Sequence, residues 1–365
     1  MSGAADTART APELAAGCPE SPARRYDVAL LDLDGVVYVG PDAVPGVPET
    51  LDAARAAGMR LGYVTNNASR TPEEVAAHLT ELGVDADADD VITSSQAAAT
   101  VVRARYGDGA RVLPVGGPGV AAALTAEGLI VVRRAEDDPV AVVQGYGRDV
   151  GWTDLAEAVV AVRRGARHVA TNTDVTIPSP RGVLPGNGAL VGVVSTVTGE
   201  APMVTGKPDP AMHAECVRRT GATRPLVVGD RLDTDIEGAR RAGAVSLLVF
   251  TGVTDPAALL AARPDHRPDL IAPDASGLLA VHPPVTAGDR SWRCGAWTVG
   301  AGEAPGVLVL RREGAGRLDD DGLDGLRALC VAAWAGSPDD APGVRVLGEG
   351  ERAAAAVERW RLSAG

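Results

Sequence analysis

Three short apolar runs stand out along the chain, and each stops at a cluster of polar residues. Val28-Ala29-Leu30-Leu31 runs into Asp32, Leu33, Asp34 and Gly35; Leu61-Gly62-Tyr63-Val64 runs into Thr65-Asn66-Asn67; Leu226-Val227-Val228 runs into Gly229 and Asp230. Unbroken apolar runs of this length predict strands buried on both faces, as in a parallel sheet. Their polar ends then fall at the carboxyl edge of the sheet, where open α/β folds place their ligands. Between Asn67 and Gly206 lie about 140 residues, far too many for a connection inside a compact domain. The pattern there alternates: strand Arg111 to Val115, helix Val120 to Glu127, strand Val140 to Gln144, helix Thr153 to Arg164, strand His168 to Thr171. An inserted α/β domain is therefore expected. Beyond Pro283-Pro284 the periodicity predicts strands in Ser291 to Val299 and Gly306 to Arg311, then a helix over Gly322 to Trp334. A strand over Gly343 to Gly348 and a helix over Glu351 to Leu362 complete a small α+β unit. The resulting division is a disordered tail at 1–24, a core made of 25–107 and 202–284, an inserted domain at 108–201 and a C-terminal domain at 285–365.

Composition narrows the class. At 365 residues, 45% of them hydrophobic, the chain suffices for two or three domains with real cores. A formal net charge of -13 argues against nucleic-acid binding, which needs a basic stripe. Cys18, Cys216, Cys294 and Cys330 are far apart, and the five histidines show no zinc spacing. Scattered cysteines with no apolar leader in 1–24 predict a cytoplasmic protein without a disulfide framework. No run approaches the length needed to span a membrane, so no membrane insertion is expected.

Of the 35 basic residues one alone is lysine, Lys207, in Gly206-Lys207-Pro208. Where every other cation is arginine, the survivor marks a place that needs a compact ammonium rather than a broad planar guanidinium. Asp32 and Asp34, two apart at a strand end, can present both carboxylates to one crevice. A calcium loop is disfavoured, because it needs a further acidic ligand at the twelfth position of its loop, where Ala43 stands counting from Asp32; a plain turn is the remaining alternative. Thr65, Asn66 and Asn67, before a helix that begins Pro72-Glu73-Glu74, supply a hydroxyl and amides suited to a phosphate, although such residues also cap helices. Asp230 closes a further strand, with Asp233 and Asp235 in the loop after it. Acidic groups held at adjacent strand ends repel one another unless a cation lies among them, and hard oxygen ligands suit Mg²⁺. Helix capping remains the reading for Asp233 and is rejected for Asp230.

These four segments, in this order, resemble the motifs of the haloacid dehalogenase superfamily, in detail its class IIA phosphatases, over roughly Arg25 to Pro284. The resemblance implies a Rossmann-like parallel-sheet core with an inserted α/β cap of class IIA type. It also implies a mechanism. Asp32 would attack phosphorus to give an aspartyl-phosphate, and Asp34 would protonate the leaving alkoxide and then deprotonate the attacking water. The family's ATP-driven pumps carry threonine at the position of Asp34 and its phosphonate-cleaving members alanine, so Asp34 favours ester hydrolysis. Mg²⁺ would be held by the Asp32 carboxylate, the Asp34 carbonyl and Asp230, with Asp235 holding a water on the metal. Lys207 would bridge the phosphoryl group and Asp32, while Thr65, Asn66 and Asn67 bind the substrate's phosphoryl end.

Within the cap, Ala170-Thr171-Asn172-Thr173-Asp174 resembles the family's specificity loop and Pro185-Gly186-Asn187-Gly188 the turn behind it. Relatives acting on pyridoxal phosphate tend to carry a histidine near the position of Ile177, which lowers that substrate's standing here. Asn172 and Asp174 would read hydroxyls, with glycerol 3-phosphate favoured over phosphoglycolate; the alternative is that both merely close the loop. A broad p-nitrophenyl or pyridoxal phosphatase is the runner-up. From other classes come a phosphotransferase or mutase and a non-catalytic metabolite sensor; retention of Asp32, Asp34, Lys207 and Asp230 counts against the sensor. A small phosphorylated metabolite is the expected partner, and class IIA relatives allow a homodimer through the cap. The C-terminal domain, an extension of actinobacterial type, resembles part of an acetyltransferase fold of the GCN5-related kind but lacks the Gly-rich pyrophosphate loop. Packing against the core or a subunit contact is its expected role.

Overall fold

The computed structural model describes residues 13–177, 181–313, 321–337, 339–341 and 343–362. The chain folds as two compact units, one made of the residues up to Leu61 together with those from Thr223 onward, the other of Gly62–Ala222.

The first unit is built on parallel strands. Leu270–Ala272 pairs with Val245–Val249, which pairs with Pro225–Gly229, which pairs with Val28–Asp32. Val28 to Leu31 are buried throughout, as the unbroken apolar run predicts, and face Pro225 to Val228 in register. Arg60–Thr65 starts beside them, with Arg60 N–H donating to Asp27 O, and carries the chain into the second unit. The part of this unit after Pro284 is a separate five-stranded sheet. Its strands Thr286–Gly288, Ser291–Cys294, Trp297–Ala301 and Val307–Arg312 are antiparallel in sequence order, and Arg345–Glu349 adds in parallel. Helix Asp324–Gly336 covers Ser291–Cys294 and Trp297–Ala301. The segment read as one strand over Ser291 to Val299 is thus a hairpin, because Gly295 adopts φ +54 and reverses the chain.

Residues 13–24, assigned by composition to the tail, are instead docked. Leu14 and Cys18 are buried, and Cys18 exchanges backbone hydrogen bonds with His282. The short apolar content that leaves this segment without periodicity suffices once another part of the chain supplies the partners. The rest of that expected tail, residues 1–12, lies outside the described residues.

In the second unit Tyr63–Thr65 pairs in parallel with Val91–Thr93. A five-stranded parallel sheet follows, in the order Met203–Val204, Arg167–Ala170, Ala141–Gln144, Arg111–Val115, Ile130–Val131. Helices Pro118–Ala126 and Trp152–Arg163 fall within a residue or two of the predicted ones. His168 is buried in this sheet with its Nε2 2.9 Å from Gln144 Oε1, and burial pushes its pKa down to about 4, so it is neutral at physiological pH.

Candidate active site

In the first unit the acidic residues converge as the strand pattern requires. Leu33 points into the core while its neighbours Asp32 and Asp34 point out, Asp32 half-buried and Asp34 exposed. The chain then turns at Gly35, whose φ is +90, and the Gly35 N–H donates to Tyr38 O at 2.8 Å. Tyr38 Oη lies 3.5 Å from Asp34 Oδ2. One carboxylate oxygen each of Asp32, Asp230 and Asp235 lies within 4.8 Å of the other two, and Asp230 and Asp235 are buried. At that spacing each pair of full charges repels by roughly 3–4 kcal/mol in an effective dielectric of about 20, more than one or two hydrogen bonds return. A divalent cation among them removes the penalty. The donor set, three hard carboxylate oxygens, fits Mg²⁺.

The Asp230 carboxylate is boxed in by backbone. Val253 N–H donates to its Oδ2 at 2.6 Å and Thr254 N–H to the Asp230 carbonyl at 3.2 Å, while Thr251 Oγ1 donates to Gly35 O. A Cβ on Gly252 would lie 2.0 Å from Asp230 Oδ2, and one on Gly35 2.6 Å from the same atom. Only glycine lets both backbones come this close. Gly252→Ala is therefore expected to fold but push the carboxylate aside, raising the Kd for Mg²⁺ roughly 10- to 100-fold. Calorimetric titration of Mg²⁺ into the variant checks this; a Kd within twofold of the parent would show that Asp230 does not serve the metal.

Asp235 lies close to the other two carboxylates, and its Oδ2 accepts from Arg231 N–H at 3.2 Å. Asp233 is elsewhere: Arg231 grips it through Nε at 3.1 Å and a terminal nitrogen at 2.9 Å, so it belongs to neither the metal set nor a simple cap.

The second unit gathers the remaining predicted residues. Asn66 brackets the Lys207 backbone: its Oδ1 accepts from Lys207 N–H at 2.8 Å and its Nδ2 donates to Lys207 O at 3.1 Å. The Asn66 carbonyl in turn accepts from Ser94 Oγ and from Asn172 Nδ2, both at 2.8 Å. Asn66, expected to bind phosphate through its amide, uses its Oδ1 and one Nδ2 hydrogen to place Lys207. Thr65 Oγ1 accepts from Asn67 N–H at 3.0 Å, and Asn67 Oδ1 accepts from Ser69.

Asn172 is likewise committed, its Oδ1 accepting from Asp174 N–H and its carbonyl accepting from Asn187 Nδ2 at 2.8 Å. Asn172 therefore closes the loop, which is the alternative its residue type left open. Asp174 is half-buried, and its carbonyl accepts from Gly188 N–H at 2.9 Å. Sequence reasoning missed the Thr251–Thr254 loop altogether; its one signal is a Thr-Gly pair directly after an apolar strand.

Residues 29–130 match the family model of haloacid dehalogenase-like hydrolases, 204–278 that of HAD-hydrolase-like proteins, and 294–362 that of a GCN5-related N-acetyltransferase like domain. The D-glycerol 3-phosphate phosphatase of Mycobacterium tuberculosis is 44% identical over 353 residues, which is 94% of this chain and 96% of that protein. A crystal structure of the glycerol phosphate phosphatase from M. tuberculosis in complex with magnesium superposes with a TM-score of 0.83 at 44% identity, covering 94% of this chain and 99% of that one. A 4-nitrophenylphosphatase from Thermotoga maritima matches with a TM-score of 0.65 at 30% identity, over 71% of this chain and 98% of its own.

Proposed function

The chain belongs to the haloacid dehalogenase-like hydrolases, and on that premise we propose that it is a Mg²⁺-dependent phosphatase that hydrolyses D-glycerol 3-phosphate through an aspartyl-phosphate on Asp32. The observation that carries the reading is the convergence of Asp32, Asp230 and Asp235. Mg²⁺, held by the Asp32 and Asp230 carboxylates and the Asp34 carbonyl, with Asp235 holding a water on it, would supply charge neutralisation for the attacking carboxylate and the phosphoryl oxygens.

Asp32 forms a bond to phosphorus as the ester P–O bond breaks, and Asp34 gives its proton to the departing glycerol oxygen. In the second half Asp34 takes a proton from water, the water oxygen bonds to phosphorus, and the bond to Asp32 breaks to release inorganic phosphate. The exposed position of Asp34 and the nearby Tyr38 hydroxyl suit a group that passes one proton back and forth. Lys207, set by Asn66, would bind phosphoryl oxygens, aided by Thr65 and Asn67. Asp174 is the cap residue proposed to accept from the glycerol hydroxyls, with Asn172 as its anchor.

The core is assigned to 25–107 and 202–284 and the cap to 108–201. Trp152, Val160, Val193 and Val197 are exposed on cap helices Trp152–Arg163 and Asn187–Thr198, which pack together and would bury those side chains in a homodimer. Among the described residues no helix is long and apolar enough to cross a membrane. All four cysteines are buried free thiols, which supports a cytoplasmic location.

Phosphate release with Mg²⁺ from glycerol 3-phosphate, phosphoglycolate, pyridoxal phosphate, a nucleoside monophosphate, sugar phosphates and p-nitrophenyl phosphate tests the reading. A kcat/KM for glycerol 3-phosphate well above the rest is expected. Equal rates across the panel would remove Asp174 as a reader of hydroxyls. Transfer of phosphate to a sugar in place of free phosphate would make the enzyme a phosphotransferase.

A further inference from the structure

One continuous apolar cluster joins the domain beyond Pro284 to the part of the chain that carries the acids. Ile236, Leu259 and Ile271 lie in it on one side, and Trp297, Leu326 and Trp334 on the other. Two buried arginines cross the same junction in opposite directions. Arg327, on helix Asp324–Gly336, donates to Ile271 O at 2.7 Å and is held by Asp321 and Asp324. Arg267 donates to Ser337 O at 2.6 Å and Asp340 O at 2.7 Å, with its guanidinium 5.5 Å from the centre of the Trp334 ring. Burying a guanidinium is costly unless it is paired, and the terminal nitrogens of Arg327 meet Asp321, Asp324 and Ile271 O while Arg267 meets carbonyls beyond the helix, so the two fix one docking geometry rather than a loose tether.

The junction leads straight to the acid cluster. Helix Pro256–Leu260 packs on helix Asp324–Gly336 and is capped by Asp255, whose Oδ1 accepts from Ala258 N–H at 2.8 Å. The four residues before Asp255 are the loop that holds the Asp230 carboxylate and the Gly35 carbonyl. One continuous run, Thr251 to Leu260, thus touches the acids at one end and the C-terminal helix at the other. Ile236, in the same apolar cluster, directly follows Asp235.

We propose that the C-terminal domain positions the metal-binding carboxylates, acting through Thr251 to Leu260 on Asp230 and Gly35 and through Ile236 on Asp235. The domain is then a fixed part of the hydrolase rather than an appended acetyltransferase module. This inference rests on reading Asp32, Asp230 and Asp235 as a Mg²⁺ site. Arg327, Arg267 and Asp255 are positioning residues, and none of them touches substrate.

The test uses the full chain with Arg327→Met and, separately, Asp255→Ala and Arg267→Lys. Mg²⁺ affinity is measured calorimetrically without substrate, alongside thermal unfolding and kcat and KM at saturating Mg²⁺. The expected result is a Mg²⁺ Kd raised roughly tenfold, the scale seen when groups that orient metal ligands are removed. KM for glycerol 3-phosphate at saturating Mg²⁺ should stay within twofold. Lower melting temperatures with an unchanged Mg²⁺ Kd would overturn the inference, since a purely structural domain predicts that outcome. Should Arg327→Met fail to fold, Asp255→Ala and Arg267→Lys decide by the same criterion. If the parent protein itself binds no Mg²⁺, the metal reading falls and the inference with it; if the parent binds and the variants bind equally well, the inference alone falls.

Discussion

Asp32→Asn is expected to abolish turnover, by on the order of 10⁴-fold or more, while leaving the fold intact. The amide is the same size as the carboxylate, and Asp32 is only half-buried at a strand end, so packing is undisturbed. What is lost is the proposed nucleophile. An amide oxygen carries no full charge and does not form a stable bond to phosphorus under these conditions. Removing one of three mutually repelling carboxylates also relieves strain in the metal-free protein, so its melting temperature should hold or rise slightly. Phosphate release and thermal unfolding, both measured with and without Mg²⁺, check the two halves of the prediction. Activity above about one per cent of the parent would rule out the aspartyl-phosphate route.

The second large effect concerns Lys207, where charge and shape can be separated. Lys207→Arg is expected to lose roughly 10²–10³ in kcat/KM, nearly as much as Lys207→Ala. The lysine backbone is fixed from both sides by one amide, Asn66, and cannot shift to make room for a longer group. Gly206 before it is wedged so tightly that a Cβ would come 2.0 Å from Thr171 O. Burial pushes the Cys216 thiol up to about 12, and the charge of half-buried Lys207, near enough to act on it, pulls the other way. A guanidinium needs a wider, flatter space than this. The steady-state kinetics of both variants decide the matter. An arginine variant within tenfold of the parent would mean that any cation serves, and that the single lysine of this arginine-rich chain is an accident of composition.

How much of this was legible beforehand depends on the range of the interaction. Val28 to Leu31 and Leu226 to Val228 read as buried strands because two covered faces leave no polar alternation to confuse the pattern. Asp32 and Asp34 share a direction by the two-residue period of a strand, which is a local rule. Asn66 escaped because its task is set by a residue 141 positions away, and a side chain that could bind phosphate is equally able to bind a backbone. The Thr251–Thr254 loop acts on Asp230 chiefly through backbone N–H groups, which every residue but proline possesses. Asp235 is a different case: its place in the acidic loop was evident, but its approach to Asp32 and Asp230 depends on how the turn Leu232–Ile236 winds.

The docking of the amino-terminal segment bears on how the protein is made. Leu14 belongs to the apolar cluster of the last domain, and Ala15 O accepts from Val285 N–H at 2.8 Å. Val28–Asp32 finds its first-unit partner only at Pro225–Gly229. A ribosome releasing this chain from its amino end therefore sends out the strand that carries Asp32 long before its first-unit partner exists, while Gly62–Ala222 is one continuous stretch of chain. Translation halted after Pro284 would yield a product with an unfilled apolar face, a substrate for chaperones and proteases rather than a shorter phosphatase.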